Sequence, residues 1–221
     1  MIESAKRPLA GWFACVVALI GLTLTAYGVQ PFQRLDATAL SRFAAHQASW
    51  LGSYASFFAD LAEPLPLLAM LIGVCALALY WARPWHALAA VAVVAGANLT
   101  TQILKVALAH PRFQPVLGNH QLGPVAFPSG HATASASIAI ALLLATPWRY
   151  RPLAAVLGAG FTAAVCCSVL VLSWHYPSDV LGGILVAAAW GFAVLAGLRA
   201  FKRSGAPHPI QVSSPAAISV K

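Results

Sequence analysis

Charge is what this chain has least of. Asp, Glu, Lys and Arg together make up 8% of its 221 residues, against about 25% in a soluble domain, and that shortage excludes a water-soluble globular protein. Cysteine is scarce too: Cys15, Cys75, Cys166 and Cys167 all fall in apolar runs, the last two adjacent. None has metal-ligand spacing, so they read as small apolar fillers. No H-x-x-x-H or H-E-x-x-H run occurs, and there is no internal repeat.

What is abundant is apolar length. The chain is 60% hydrophobic with a mean hydropathy of +0.79, and runs of about 20 apolar residues each suffice to cross a bilayer as a helix. Six such runs lie near 11–29, 64–82, 86–108, 129–147, 152–174 and 180–200, which predicts an all-α integral membrane protein, a six-transmembrane-helix bundle. Lys6 and Arg7 ahead of the first run resemble a signal peptide, but Gly11 to Val29 is long for that role and an uncleaved helix is expected. The spans leave room for one membrane domain, residues 1–203, and no soluble one. Residues 204–221 are polar and Pro-containing, a disordered tail by composition. In the first connection, DATALSRFAAH and WLGSYASFFADLAE read as short helices, the second with interfacial aromatics. The connection 109–127 is irregular by its Pro and Gly content. Gly158, Gly160, Gly182 and Gly183 suit close helix packing.

A net charge of +8 raises the question of nucleic acid, which the placement of the charges answers. With the N-terminus inside, the 13 Lys and Arg divide nine to four in favour of the inner segments, the positive-inside pattern. The basicity is topological. Both termini are expected to be cytoplasmic, and no nucleic-acid partner is expected.

In that topology the unusual polar groups collect on the outer side. Asn98, Gln102 and Lys105 share one helix face that should turn inward, away from lipid; Asn98 alone is explained by helix–helix hydrogen bonding. Lys105 and Arg112 supply two cations. Pro128-Ser129-Gly130-His131 opens an apolar run with an N-cap serine, a glycine that permits close backbone approach, and free N–H groups that bind anions. His175-Tyr176-Pro177-Ser178-Asp179 opens another, with Pro177 suited to a first helical turn. Such a set fits a multiply charged oxyanion, above all phosphate. Asp179 is placed to reach one nitrogen of His175 and leave the other free to attack, while His131 could protonate a leaving oxygen. Two histidines and an aspartate also suit zinc, but the two cations would repel a metal ion.

These residues resemble the type 2 phosphatidic acid phosphatase superfamily, in its membrane lipid phosphatase branch. Lys105 and Arg112 match the first motif, with Phe113 replacing its proline; Pro128 to His131 match the second in full. Ser168, His175 and Asp179 match the third, with Val169 where an arginine belongs. The resemblance implies His175 as nucleophile, Asp179 as its orienting partner and His131 as general acid. It implies Lys105, Arg112, Ser129 and Gly130 as holders of the phosphoryl oxygens, and no metal or organic cofactor. The implied activity is hydrolysis of a lipid phosphomonoester or diphosphate (phosphatidic acid, phosphatidylglycerol phosphate or polyprenyl diphosphate) through a phosphohistidine, at the outer face of a cell inner membrane. Two alternatives stay open because of Val169: a non-catalytic protein that binds or flips phospholipid, and a lipid phosphotransferase. His110 and His120, in the outer connection, are candidates for a substitute donor, neither assigned by the sequence, and Val169→Arg is expected not to abolish activity.

Overall fold

A computed structural model describes residues 3–118 and 121–204; the expected disordered tail lies almost wholly outside the described residues, as does His120. Eight α-helices follow in order: α1 (Glu3–Gly28), α2 (Gln30–Ala44), α3 (Trp50–Asp60), α4 (Pro64–Tyr80), α5 (Pro84–Ala107), α6 (Gly130–Ala145), α7 (Arg151–Val171) and α8 (Pro177–Ser204). Proline sits in the first turn of α2, α4, α5, α7 and α8. There its fixed φ is already helical and its missing N–H is one that would have had no partner. α3 starts instead on Ser49, whose hydroxyl accepts from the Leu51 amide at 3.2 Å. The two expected short helices of the first connection are α2 and α3. The connection after α5 is irregular but for a 3₁₀ turn at Pro115–Leu117.

Among the described residues, four helical stretches are long and apolar enough to cross a membrane: Lys6–Gly28, Pro84–Ala107, Trp148–Val171 and Pro177–Phe201. A fifth is the pair α3 and α4, which together qualify but bend by 60° at the break between them. The fourth expected run, 129–147, forms α6, only 16 residues long. At 1.5 Å per residue it reaches roughly 24 Å, short of a hydrocarbon core of about 30 Å. By length alone the count is therefore four or five, against the six read from hydropathy. Its last carbonyls are met by arginines: Arg83 donates to Ala145 O at 2.7 Å and Arg151 to Thr146 O at 3.3 Å.

α6 is nevertheless the axis of the packing, in contact with α4, α5, α7 and α8, while α1 lies along α8. Its sequence explains the role. Ala132, Thr133, Ala134, Ser135, Ala136 and Ser137 are all buried, and side chains this small let neighbouring backbones close in. Ser135 and Ser137 return their hydroxyls to carbonyls one turn back, at 3.2 and 2.9 Å. Asn98 bonds across to Ser137 at 3.3 Å, joining α5 to α6. α8 approaches more closely still: a Cβ on Gly183 would stand 2.5 Å from the carbonyl oxygen of Ser129. Gly182 and Gly158 are equally crowded, at 2.8 Å from Phe127 and Ala139, whereas Gly160 faces open space and has no such role.

The core beside α6 settles position 169. Val169 is fully buried in a cluster with Ala37, Leu40, Ala132, Cys166, Leu170, Tyr176 and Val180. Valine is there as packing between α2, α6, α7 and α8. Whether activity survives arginine at 169 is a separate matter from its fit: Val169→Arg should lower stability by about 3–5 kcal/mol, the scale for a charge forced into a buried apolar setting, and an unchanged thermal midpoint in detergent would refute this. Gly183→Ala should lower stability too, by about 1–3 kcal/mol of overpacking, and with it the midpoint. A wild-type midpoint in that variant would mean that α8 can move off Ser129 without cost.

Candidate phosphoryl site

The segment before α8 builds the buried half of the site. Asp179, in the third position of the helix, accepts the Tyr176 amide at 2.8 Å, the return bond of a capping box. Asp36 of α2 accepts both the amide and the hydroxyl of Ser178, at 3.0 and 2.5 Å. The N-terminus of α8 is therefore filled by two of the protein's own carboxylates. Those carboxylates, and not an outside anion, occupy that helix end.

Arg112 lies between those carboxylates. It donates to Asp179 Oδ1 and, at 3.0 Å, to the Ser178 hydroxyl, and stands 3.6 Å from Asp36. The Tyr176 ring faces the guanidinium at 4.2 Å, and the Tyr176 hydroxyl donates to the Arg112 carbonyl at 3.1 Å. Burial pushes the Tyr176 phenol up to about 12, so it remains a neutral donor. Burial also raises the Asp36 carboxyl, against the two Ser178 hydrogen bonds that lower it. One guanidinium between two carboxylates leaves an excess of negative charge, and His175 stands against it. His175 Nδ1 lies 3.7 Å from Asp179 Oδ2, beyond hydrogen-bond length, and is buried without a hydrogen-bond partner.

The front of the site belongs to α5 and α6. Ser129 is the N-cap of α6; its hydroxyl accepts the Ala132 amide at 3.4 Å, and its own amide donates to the Asp179 carbonyl at 2.9 Å. It is fully buried, so its hydroxyl serves the helix. Gly130 leaves the space that a side chain would fill: a Cβ there would lie 3.6 Å from the Lys105 ammonium. His131 follows, 6.2 Å from His175 between ring centres and 5.3 Å from Trp174.

Gly130, His131 and Lys105 line one end of a cleft of about 530 Å³ between α4, α5 and α6. Gln102 and Asn98 continue the polar stripe along it, and Leu67, Leu68, Leu71, Val94 and Ala134 form its apolar walls. The stripe read from the sequence thus faces this cleft. His110 stacks on Tyr27 instead, at 6.0 Å. All seven expected site residues converge, Lys105, Gly130 and His131 on the cleft and Arg112, Ser129, His175 and Asp179 behind it.

Two carboxylates escaped the sequence reading. Asp36 belongs to the cluster just described, and Glu63, from the break between α3 and α4, lies 3.3 Å from His131 Nε2. A signal was present: the chain has only five acidic residues, and Asp36 falls on the same helix face as the apolar Ala37 and Leu40, all three buried.

Comparison with known proteins gives the chain its family. Residues 86–203 match the family model of the PAP2 superfamily. Human sphingosine-1-phosphate phosphatase 2 is 37% identical over 94 residues, which are 39% of this chain and 24% of that protein. Its mouse counterpart is 35% identical over 94 residues, 27% of its length; the match thus spans about a quarter of these relatives. The crystal structure of a transmembrane PAP2-type phosphatidylglycerolphosphate phosphatase from Bacillus subtilis superposes with a TM-score of 0.69 at 20% identity, covering 89% of this chain and 98% of that one. The family match takes in every one of the seven site residues, and the chain belongs to the PAP2 superfamily.

Proposed function

We propose that this protein is a metal-independent membrane phosphatase acting on a lipid phosphomonoester. The observation that carries the reading is the position of His131 and Lys105 at the polar end of an otherwise apolar cleft, with His175 just behind. A phosphoryl group fits the polar end and an acyl or alkyl chain the apolar walls. The names of the similar proteins, sphingosine-1-phosphate phosphatase and phosphatidylglycerolphosphate phosphatase, both denote lipid monoesters and favour these over polyprenyl diphosphates.

In this mechanism the free nitrogen of His175 attacks phosphorus with its lone pair. The P–O bond to the lipid breaks, and the departing oxygen takes a proton from His131. Lys105, the Gly130 amide and the remaining donors of Arg112 hold the phosphoryl oxygens, with Ser129 keeping the first turn of α6 in place. As His175 becomes cationic, the negative excess at Asp36 and Asp179 stabilises it. Water, deprotonated by His131, then attacks the phosphohistidine and releases phosphate. No step calls on a metal ion.

Residues 1–203 serve as one membrane domain in this reading. α6 and the bent α3–α4 pair count as crossings, which restores six, and the site opens at the outer face of a cell inner membrane with both termini cytoplasmic. Labelling of single cysteines placed at residues 46 and 149 in intact cells would reverse that orientation if only the second reacted.

The purified protein in detergent should release phosphate from phosphatidic acid, phosphatidylglycerol phosphate or sphingosine-1-phosphate with EDTA present. His175→Ala should reduce the rate by at least about 10⁴-fold, the scale for loss of a covalent nucleophile. Lipid binding without phosphate release by the wild type would instead support a carrier.

A further inference from the structure

The contact between Glu63 and His131 involves a residue far from every motif, and its local chemistry is unusual. Glu63 is the N-cap of α4, with an extended backbone (φ −68°, ψ 159°), yet its side chain makes no capping hydrogen bond. The sequence that follows, Pro64-Leu65-Pro66, explains this: two of the first three helical positions have no N–H to offer. The Glu63 carbonyl still takes part in the helix, accepting the Leu67 amide at 3.0 Å. Its carboxylate is left to lean across the cleft mouth to α6.

His131 needs such a partner. The charged and titratable groups around it are Lys105 from α5, His175 and Asp179 from the entry to α8, and Glu63 from the α3–α4 break. Lys105 and a cationic His175 both oppose a proton on His131, and Asp179 is engaged with Arg112 and Tyr176. Among the described residues, Glu63 makes the one ion-pair contact to His131.

Resting on the phosphatase reading, we propose that Glu63 is a positioning residue that aims His131 and favours the proton it carries for its work as general acid. The site then holds two carboxylate–imidazole pairs: Asp179 with the nucleophile, Glu63 with the acid. In the first step the proton leaves His131 for the lipid oxygen as the P–O bond breaks, and the Glu63 charge returns to pairing when water reprotonates the ring. The 60° bend between α3 and α4 is thereby a catalytic feature, since it brings Glu63 to the cleft.

The test compares wild type and Glu63→Gln on hexadecyl phosphate and 2,2-difluorohexadecyl phosphate, near-isosteric lipids whose leaving alcohols differ in acidity. Glutamine keeps the shape, and because Glu63 is about half exposed and caps nothing, the thermal midpoint should not move. The kcat of the variant should fall about tenfold or more on the parent lipid, a share of the roughly 10²–10⁴ that a positioned acid supplies, and much less on the difluoro lipid, with KM nearly unchanged. On whichever lipid of the earlier panel the wild type hydrolyses, the alkaline limb of kcat should shift down by about one pH unit, as removal of an adjacent charge predicts. Equal losses on both lipids with an unmoved alkaline limb, or a rise in KM alone, would overturn the proposal. A wild type that releases phosphate from no lipid removes the phosphatase reading itself, an outcome separate from any behaviour of the variant.

Discussion

A single buried guanidinium organises this protein. Arg112 comes from the irregular connection after α5, yet its partners belong to α2 and to the start of α8, so three distant parts of the chain meet on it. Removing one partner of such a pair from a buried setting is costly because the other charge is left without water. The pairing therefore fixes where α8 begins, and with it Asp179, His175 and the turn between them. The entry of α8 in turn supports the N-cap of α6 through the bond from the Ser129 amide to the Asp179 carbonyl. The buried half of the site is thus assembled by electrostatics, in a chain that otherwise has little charge to use.

The exposed half is assembled by the opposite means. Along α6 there is almost nothing large, and the neighbouring helices come close because alanine, serine and glycine allow it. That closeness brings Lys105 of α5 and His131 of α6 to one cleft. A polar stripe on α5 and an apolar wall on α4 then give the cleft two characters along its length, which is what a lipid with a charged head requires. The two halves share the first turn of α6. Of the two helix N-termini at the site, that of α8 is filled with the protein's own carboxylates and that of α6 is not.

Much of this was legible in the chain. The all-helical membrane class, the helices of the first connection and the convergence of Lys105, Arg112, Ser129, Gly130, His131, His175 and Asp179 all follow from composition, helix-start chemistry and motif spacing. What was not legible is of one kind. Hydropathy does not tell a full crossing from a short buried helix, because α6 is apolar for the sake of its protein neighbours. Spacing does not show that Asp36 and Glu63, separated from their partners by 142 and 68 positions, end beside Ser178 and His131. Nor does a motif show that Val169 is packed against Ala37 and Leu40. Each of these depends on which helices become neighbours, and local sequence says little about that.

The shortness of α6 is absorbed inside the protein. Its C-terminal end stops where Arg83 and Arg151 reach in to take its last carbonyls, so two guanidinium groups mark the edge of the apolar zone on that side. Because α6 is enclosed by α4, α5, α7 and α8 and none of its residues is exposed, lipid chains meet its neighbours and not α6 itself. The cost of a short central helix therefore falls on the protein packing around it, which the small side chains of α6 make possible.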